Sequence, residues 1–235
     1  MLKNQVNGFV AELRAYLSHP GVFNPWRDYD GTCDLCREAP EIRSKQMAQF
    51  LYSRMNGAAY LLVAEAIGYQ GGRFTGVPLI SERIILGNHG SINPCAILKN
   101  LPGRRTSNPD NRELNSAQKR LGFTEPTATI VWEEILKSKV SPHRVITWNI
   151  FPFHPYNPSK GPLTNRTPTA AELEAGSYYT QTLLKMWPNV TVVSIGKHAA
   201  RTLNKLGIRN FSVPHPANGG SSNFKAAIKD VLVPG

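Results

Sequence analysis

Four short apolar runs constrain the fold of this chain more than any other feature of its sequence. The first, Tyr60 to Glu65, is continuously apolar up to its last residue and is followed by glycines, which is typical of a strand covered on both faces. Similar runs lie near 144–151, 190–196 and 210–216. Helical spacing occupies the intervening stretches near 125–139, 169–187, 197–206 and 222–232. This alternation predicts an α/β domain with a parallel sheet.

The residues before the first apolar run have a different pattern. Residues 4–18 predict an amphipathic helix, and a second helical pattern ends at Gly57. The apolar face of the first helix comprises Val6, Phe9, Val10, Leu13 and Leu17. We expect residues 1–57 to form a helical extension packed on an α/β domain over residues 58–235. Residues 88–115 are loop-like.

The charge of the chain favours a polyanionic partner. Lys and Arg number 27 against 16 Asp and Glu, a formal net charge of +11. Nucleic acid is the first candidate for such a partner, and a basic protein without one is the alternative. No apolar run reaches the roughly 20 residues that cross a bilayer. We expect a cytoplasmic monomer with no membrane association.

The cysteines bear on cofactors. Cys33 and Cys36 form a CxxC pair, which can begin a metal or iron–sulfur site, and Cys95 is the remaining cysteine. Three cysteines are too few for a four-cysteine cluster. We therefore expect no metal, no iron–sulfur cluster and no other cofactor, and a reducing compartment suits this cysteine content.

The loops that follow the predicted strands contain the candidate site, because ligands of open parallel sheets bind at the carboxyl ends of the strands. Asn149 ends the second run, and an amide can pair with both a donor and an acceptor on one base edge. His215 lies between two prolines and could donate a hydrogen bond to a developing oxyanion. Taken singly, either side chain could be structural.

The glycines after the first run allow the backbone to turn sharply against a ligand. Their spacing from Gly68 is G-x-x-G-G-x-x-x-G, which differs from the dinucleotide-binding fingerprint. A plain loop, or a phosphate-holding loop in an enzyme for free nucleotides, are the alternatives.

Taken in order, these elements resemble the uracil-DNA glycosylase superfamily, most closely its bacterial and archaeal family with a Gly-Glu-Ala-Pro-Gly first motif. The matching stretches here are Ala64-Glu65-Ala66-Ile67-Gly68, then "TGVPL", then "TWNIFPFHP", and finally His215-Pro216-Ala217-Asn218. The resemblance covers roughly residues 58–220. It implies a three-layer α/β/α sandwich with a central four-stranded parallel sheet.

The resemblance also implies a function, which is hydrolysis of the N-glycosidic bond of a flipped-out base in DNA base-excision repair. Uracil is the implied base, and hypoxanthine or xanthine are alternatives. The protein would be a monofunctional glycosylase whose partner is DNA containing a deaminated or damaged base.

The resemblance assigns roles to particular residues. Glu65 would orient water or stabilise the cationic sugar, and His215 would stabilise negative charge on the departing base. The Watson–Crick edge would be read by Asn149. Amides of the 66–69 turn, which includes Ala66, Gly68 and Tyr69, would contact ring carbonyls.

Other assignments concern stacking and the DNA backbone. Leu79 stands where the family places the aromatic residue that stacks on uracil, so Phe74 and Phe151 are the substitutes. The expected DNA contacts are Arg104, Arg105, Asn218 and Ser221.

The sequence departs from the family pattern at three positions, and the last two of them motivate a second hypothesis. Ile67 replaces the motif proline, Ala66 occupies the position at which other branches carry a water-activating Asp or Asn, and Leu79 lacks an aromatic ring. The alternative is accordingly a catalytically weak or inactive nucleic-acid-binding member of the same fold.

Overall fold

The computed structural model describes residues 2–99 and 102–233, and within them the chain is organised around a parallel sheet. The strands are β1 (Val22–Phe23), β2 (Tyr60–Ala66), β3 (Val145–Phe151), β4 (His154–Pro155), β5 (Thr191–Ile195) and β6 (Phe211–Val213). Four of them form the main sheet in the order β3-β2-β5-β6, and every pairing in it is parallel. The other two, β1 and β4, form a separate antiparallel ribbon.

The helices flank this sheet. They are α1 (Leu2–Ala15), α2 (Ala39–Tyr52), α3 (Gly72–Thr75), α4 (Glu82–Ile85), α5 (Cys95–Leu98), α6 (Ser116–Leu121), α7 (Pro126–Lys137), α8 (Ala170–Met186), α9 (Lys197–Lys205) and α10 (Ser221–Val231). A short 3-10 helix, Pro142–Arg144, precedes β3. No helix among the described residues is long and apolar enough to cross a membrane.

Both faces of the sheet are covered, which the neighbouring residues Thr147 and Trp148 of β3 illustrate. The Trp148 indole donates to Thr180 of α8 at 3.2 Å, whereas the Thr147 hydroxyl donates to the Pro78 carbonyl at 2.7 Å. Successive strand residues point to opposite faces, so helix α8 and the segment around Pro78 lie on different sides. All seven residues of β3 are buried, as the continuous apolar run predicted.

The predicted α/β sandwich with a four-stranded parallel sheet is therefore confirmed. Each of the four apolar runs contains one strand of the sheet, and each of the four predicted helices after residue 120 is present. The apolar runs located the strands because a strand covered on both faces buries nearly every side chain.

The N-terminal residues share the core of the α/β domain. Val6, Phe9, Val10 and Leu13 of α1 are buried in the same hydrophobic cluster as β2 and β3. The prediction for Leu17 was wrong, because α1 ends at Ala15 and the Leu17 side chain is exposed.

A buried carboxylate organises the segment that the sequence marked as loop. Glu82 of α4 accepts the N–H groups of Thr106 and Ser107, each at 2.9 Å, and the Ser107 hydroxyl at 2.5 Å. The chain near 106 is thus held without regular secondary structure, while α5 is a short helix that the sequence did not indicate.

Candidate active site

A cavity of about 640 Å³ lies at the carboxyl end of the parallel sheet. The loops after β2, β5 and β6 form one part of its wall, and the start of α7 and residues 165–168 form the rest. Its lining residues are Ala64, Glu65, Ala66, Ile67, Gly68, Leu79, Glu125, Thr127, Asn165, Arg166, Thr167, Pro168, Ile195, Gly196, Lys197, His198, His215, Ala217 and Asn218. This is the edge at which ligands of open parallel sheets bind.

Glu65 is held in this wall by the end of β2. Its side chain is 25% exposed, and burial raises the pKa of its carboxyl group despite the nearby imidazole of His198. The His198 Nδ1 atom lies 3.4 Å from Glu65 Oε1. That oxygen has no hydrogen-bond partner, so the contact is a charge pair that exists when His198 is protonated.

His215 enters the wall from the loop after β6. The Ala217 N–H donates to His215 Nδ1 at 3.1 Å, so in the neutral ring the proton resides on Nε2. Desolvation by the surrounding loops lowers the pKa of His215, which favours this neutral form at pH 7. The side chain therefore brings an N–H donor to the cavity.

Two glycines make room for His215. A Cβ atom on Gly196, whose φ is +89°, would lie 3.1 Å from the His215 Cβ atom. A Cβ atom on Gly220 would lie 2.1 Å from the His215 carbonyl oxygen. The position of the imidazole thus depends on residues without side chains in two separate loops.

Asn149 lies beside the cavity and is not among the lining residues. It is 1% exposed, and neither its Oδ1 nor its Nδ2 atom has a hydrogen-bond partner. It pairs in register with Ala64, which does line the cavity, and it shares the Thr147 side of β3. Leaving a buried amide unpaired costs free energy, and both polar atoms of this amide lack a partner among the described residues.

The turn after β2 contributes Ala66 and Gly68 to the wall, as well as Leu79 further along. Tyr69 does not line the cavity, and its N–H already donates to Asn165 Oδ1 at 3.0 Å. The expected contact between the Tyr69 amide and a base is not supported. Leu79 has a φ of +57°, and its carbonyl accepts the Trp132 indole N–H at 3.0 Å.

The two aromatic substitutes for a stacking residue are elsewhere. Phe74 stacks on Phe123 with ring centroids 4.6 Å apart in a small separate core. Phe151 is buried against Tyr16 and Phe153. Neither ring lines the cavity, and the lining residues include no Phe, Tyr or Trp. Both assignments are corrected, because burial in the core uses these rings for packing.

The four residues expected to contact DNA lie in different places, and only one of them lines the cavity. Asn218 lines the cavity, and Ser221 begins α10 outside it. The Arg105 guanidinium is engaged, since it donates to the Gln118 carbonyl at 2.8 Å, to the Lys119 carbonyl at 2.5 Å and to Ser107. Arg105 thus braces the end of α6, and Arg104 is the exposed arginine of the pair.

Sequence reasoning missed the part of the wall that comes from outside the strand ends. Glu125 is the most notable case, because its Oε2 atom is buried without a hydrogen-bond partner and burial raises its pKa to about 7. Arg166 binds both oxygens of Glu172, at 2.7 and 2.6 Å, and so fixes its own segment. The Glu125-Pro126 pair marks a helix start, but nothing in that pattern points to a cavity.

Cys33 and Cys95 lie in different environments. Cys33 is buried in the core with Phe74 and Phe123, and burial is the main reason that its pKa rises to about 12. Cys95 is exposed at the start of α5. Across residues 2–99 and 102–233, no three His, Cys, Asp or Glu side chains are grouped in a way that could hold a metal ion.

Comparisons with known proteins identify a family and a similar fold. A family model described as the uracil DNA glycosylase superfamily matches residues 106–231, more than half of the chain. The crystal structure of wild-type Pedobacter heparinus SMUG2 is similar in fold, with a TM-score of 0.58 and 17% sequence identity. The alignment covers 98% of this chain and 93% of that one. No curated protein sequence shows a significant match.

Proposed function

The chain belongs to the uracil DNA glycosylase superfamily, and from that membership we propose that it hydrolyses the N-glycosidic bond of a deaminated base flipped out of DNA. One observation carries the proposal. The cavity brings Glu65 and His215 together and adjoins Asn149, although these residues come from three different strand ends. Each of them has a hydrogen-bonding atom left for a ligand.

The dimensions of the cavity suit an extruded nucleotide. A base inside the duplex cannot be attacked, so an enzyme of this kind must accommodate the base in a fitted pocket. A volume of about 640 Å³ falls in the ordinary range for small-molecule sites. The basic chain, with its +11 charge, complements the phosphates around such a nucleotide.

The reaction assigns one task to each residue. The bond between C1′ and the base nitrogen breaks, and its electron pair leaves with the base. The neutral His215 ring, with its proton on Nε2, donates a hydrogen bond to the oxygen on which that charge collects. Asn149 satisfies both of its orphaned atoms on the Watson–Crick edge of the base.

Glu65 completes hydrolysis on the sugar side. Its carboxylate stabilises the cationic sugar, and its raised pKa makes it a better base for an incoming water molecule. The water oxygen bonds to C1′ and Glu65 accepts the water proton, which it later returns to solvent. The base leaves as its anion and takes a proton from solvent, so the products are a free base and an abasic sugar. No covalent intermediate with the protein is needed, which corresponds to a monofunctional glycosylase.

Base release from oligonucleotides tests this proposal. Single- and double-stranded substrates would contain uracil, hypoxanthine or xanthine, and release of at least one of these bases is expected. His215→Ala should slow release by about 10²–10³-fold, as is usual for losing one oxyanion donor. Asn149→Ala should remove recognition of the Watson–Crick edge of the base and so weaken binding of the flipped nucleotide. The exposed His19→Ala serves as the control and should match the parent.

A non-catalytic DNA-binding role is the second candidate. It is favoured by Ala66, which presents only a methyl group to the cavity. Binding that weakens steeply with salt, together with no release of any base in the panel, would select this role over the enzyme.

A further inference from the structure

We propose that Glu125 selects the excised base by donating a hydrogen bond from its carboxyl group to N7 of a deaminated purine, which makes hypoxanthine or xanthine a better substrate than uracil. The inference rests on the glycosylase function proposed above and adds the class of base.

The backbone around Glu125 shows that its side chain is not used by its own helix. Glu125 immediately precedes Pro126, the first residue of α7, and has the extended backbone of an N-cap residue. A carboxylate at this position normally accepts the free N–H groups of the first turn. Here the side chain makes no such bond and lines the cavity instead.

The carboxyl group lies directly on the glycine turn after β2. A Cβ atom on Gly71 would lie 2.1 Å from Glu125 Oε2 and 2.7 Å from its Cδ atom. A Cβ atom on Gly68 would lie 3.5 Å from Oε1. The absence of side chains at the turn therefore creates the space that the carboxyl group occupies.

No hydrogen bond joins the Glu125 carboxyl group to any of the described residues. Its Oε2 atom is buried without a hydrogen-bond partner, and the neighbouring Asn165 uses its own oxygen on the Tyr69 N–H. Burying a polar atom without a partner costs free energy unless a ligand supplies the partner. Since the proposed function places the base against this turn, the ligand group nearest to Glu125 is the base.

The protonation state of Glu125 determines which ligand atom it can bind. Burial raises its pKa to about 7, so a large share of the carboxyl groups are neutral at or below that pH and carry an O–H donor. The titratable and charged groups in the same wall are Glu65, Arg166, Lys197, His198 and His215. Desolvation is the cause of the Glu125 shift.

An O–H donor at this place distinguishes the bases. The hydrogen-bonding atoms of uracil are its two carbonyls and the N–H between them, which Asn149, His215 and the turn would engage. Its remaining edge carries only C–H groups, so Glu125 would stay unpaired. A purine adds the acceptor N7 on its second ring. When the bond to C1′ breaks, negative charge spreads onto that ring and strengthens the hydrogen bond to N7.

Single-turnover release from four matched duplexes tests the proposal. They contain hypoxanthine, xanthine, uracil or 7-deazahypoxanthine, in which a C–H replaces N7. The parent should release hypoxanthine about 10–100-fold faster than uracil, the range expected for one buried hydrogen bond. Glu125→Ala should slow release of hypoxanthine about 10–100-fold more than it slows release of uracil or the 7-deaza base, so that the advantage is lost. Glu125→Gln should retain it, since an amide N–H can still donate to N7, and should lose any decline above pH 7.

The outcomes separate this inference from the proposed function. Faster release of uracil than of hypoxanthine by the parent, or equal slowing of both by Glu125→Ala, overturns the role of Glu125 and leaves the glycosylase intact. The exposed Glu113→Gln is the matched control and should behave as the parent does.

If no base is released, the glycosylase function is overturned. Affinity for the same duplexes then still tests whether Glu125 selects the base. Tighter binding of hypoxanthine than of 7-deazahypoxanthine, removed by Glu125→Ala, supports base selection by Glu125. Equal affinities overturn it. Thermal midpoints of all variants exclude unfolding as the cause.

Discussion

Two regions of this molecule bury polar groups in opposite ways. The first, which we call the anchor cluster, consists of Asp34, Arg43 and Arg73. Arg43 binds Asp34 at 2.9 and 3.1 Å, and its remaining donors reach the carbonyls of Pro25 and Asp28. The second region is the cavity wall, where Asn149 has two unpaired atoms and Glu125 has one.

The two regions differ in whether their buried polar groups have partners within the described part of the protein. Burial alone would raise the pKa of Asp34, but Arg43 and Arg73 lower it below its ordinary value, so the carboxylate stays ionised and paired. In the cavity wall, burial raises the pKa of Glu125 to about 7. The regions meet at α3, because Arg73 belongs to the glycine turn that Glu125 covers. The anchor cluster therefore holds the turn in place.

The largest expected effect comes from breaking the anchor cluster. Asp34→Ala removes the carboxylate that pairs with the buried Arg43 and one of the two that pair with the buried Arg73, and should destabilise the fold by about 3–5 kcal/mol. Urea unfolding measures the change. Glu41→Ala removes an exposed ion pair with Arg14 and should cost less than about 1 kcal/mol. Equal losses in both variants would show that the anchor cluster does not stabilise the fold.

In the cavity wall, we expect that replacing a buried carboxyl group stabilises the fold. The folded-state pKa of Glu125, about 7, lies above the ordinary glutamate pKa of 4.5, so ionisation destabilises the fold as pH rises from about 4.5 to 7. Glu125→Gln removes this loss, so the variant should exceed the parent by up to about 3 kcal/mol at pH 8 and match it near pH 4. Unfolding curves at the two pH values provide the measurement.

Glu82→Gln is the matched contrast for that experiment. Its carboxylate accepts three hydrogen bonds from Thr106 and Ser107, so substitution should destabilise the fold at pH 8 by about 1–3 kcal/mol. If Glu125→Gln also destabilised the fold at pH 8, the Glu125 carboxylate would have a partner in solution, and the contrast between the two regions would fail.

A smaller effect should follow from crowding His215. Gly196→Ala and Gly207→Ala both place a side chain at positive φ and should destabilise the fold, Gly196→Ala the more because its ψ of 160° places it in a region open essentially only to glycine. Only the Gly196 substitution meets His215, since nothing lies within 4 Å of a Cβ atom on Gly207. Base release should therefore fall about tenfold in Gly196→Ala alone. Equal rates in the two variants would mean that His215 tolerates displacement.

The smallest expected effect concerns the rim of the cavity. Lys197, Arg201 and Lys205 are exposed and recur every four residues on α9, whose first residue lines the cavity. Lys197→Ala and Arg201→Ala should each reduce the slope of log affinity for DNA against log salt by about 1. Lys45→Ala, on α2, should leave the slope unchanged. A parent affinity that does not depend on salt would contradict a phosphate-binding rim.

The sequence predicted the elements that depend on local pattern. The continuous apolar runs located β2, β3 and β5, and helical spacing located α7 to α10, because these patterns reflect burial of each element against its neighbours. The sequence selected Glu65 and His215 because each lies at or after the end of a predicted strand, and both side chains line the cavity. Leu17 and α5 were missed because helix ends and one-turn helices leave weak periodic signals.

These patterns could not predict which side chains contact one another in the folded chain. Phe74 and Phe151 look equally suitable for stacking in the sequence, yet both rings pack in cores, and Arg105 binds backbone carbonyls rather than facing solvent. Glu125 shows the reverse case, since an ordinary residue at a helix start becomes part of the cavity because α7 begins beside the glycine turn.

By itself, the sequence determined the α/β class, the strand positions, the basic charge and the strand-end candidates, since each depends on composition or on neighbours along the chain. Only the tertiary structure decided which polar groups are paired and which stay open. The physical reason is that a hydrogen bond depends on ångström distances between residues remote in sequence, such as Glu82 and Thr106 or Tyr69 and Asn165.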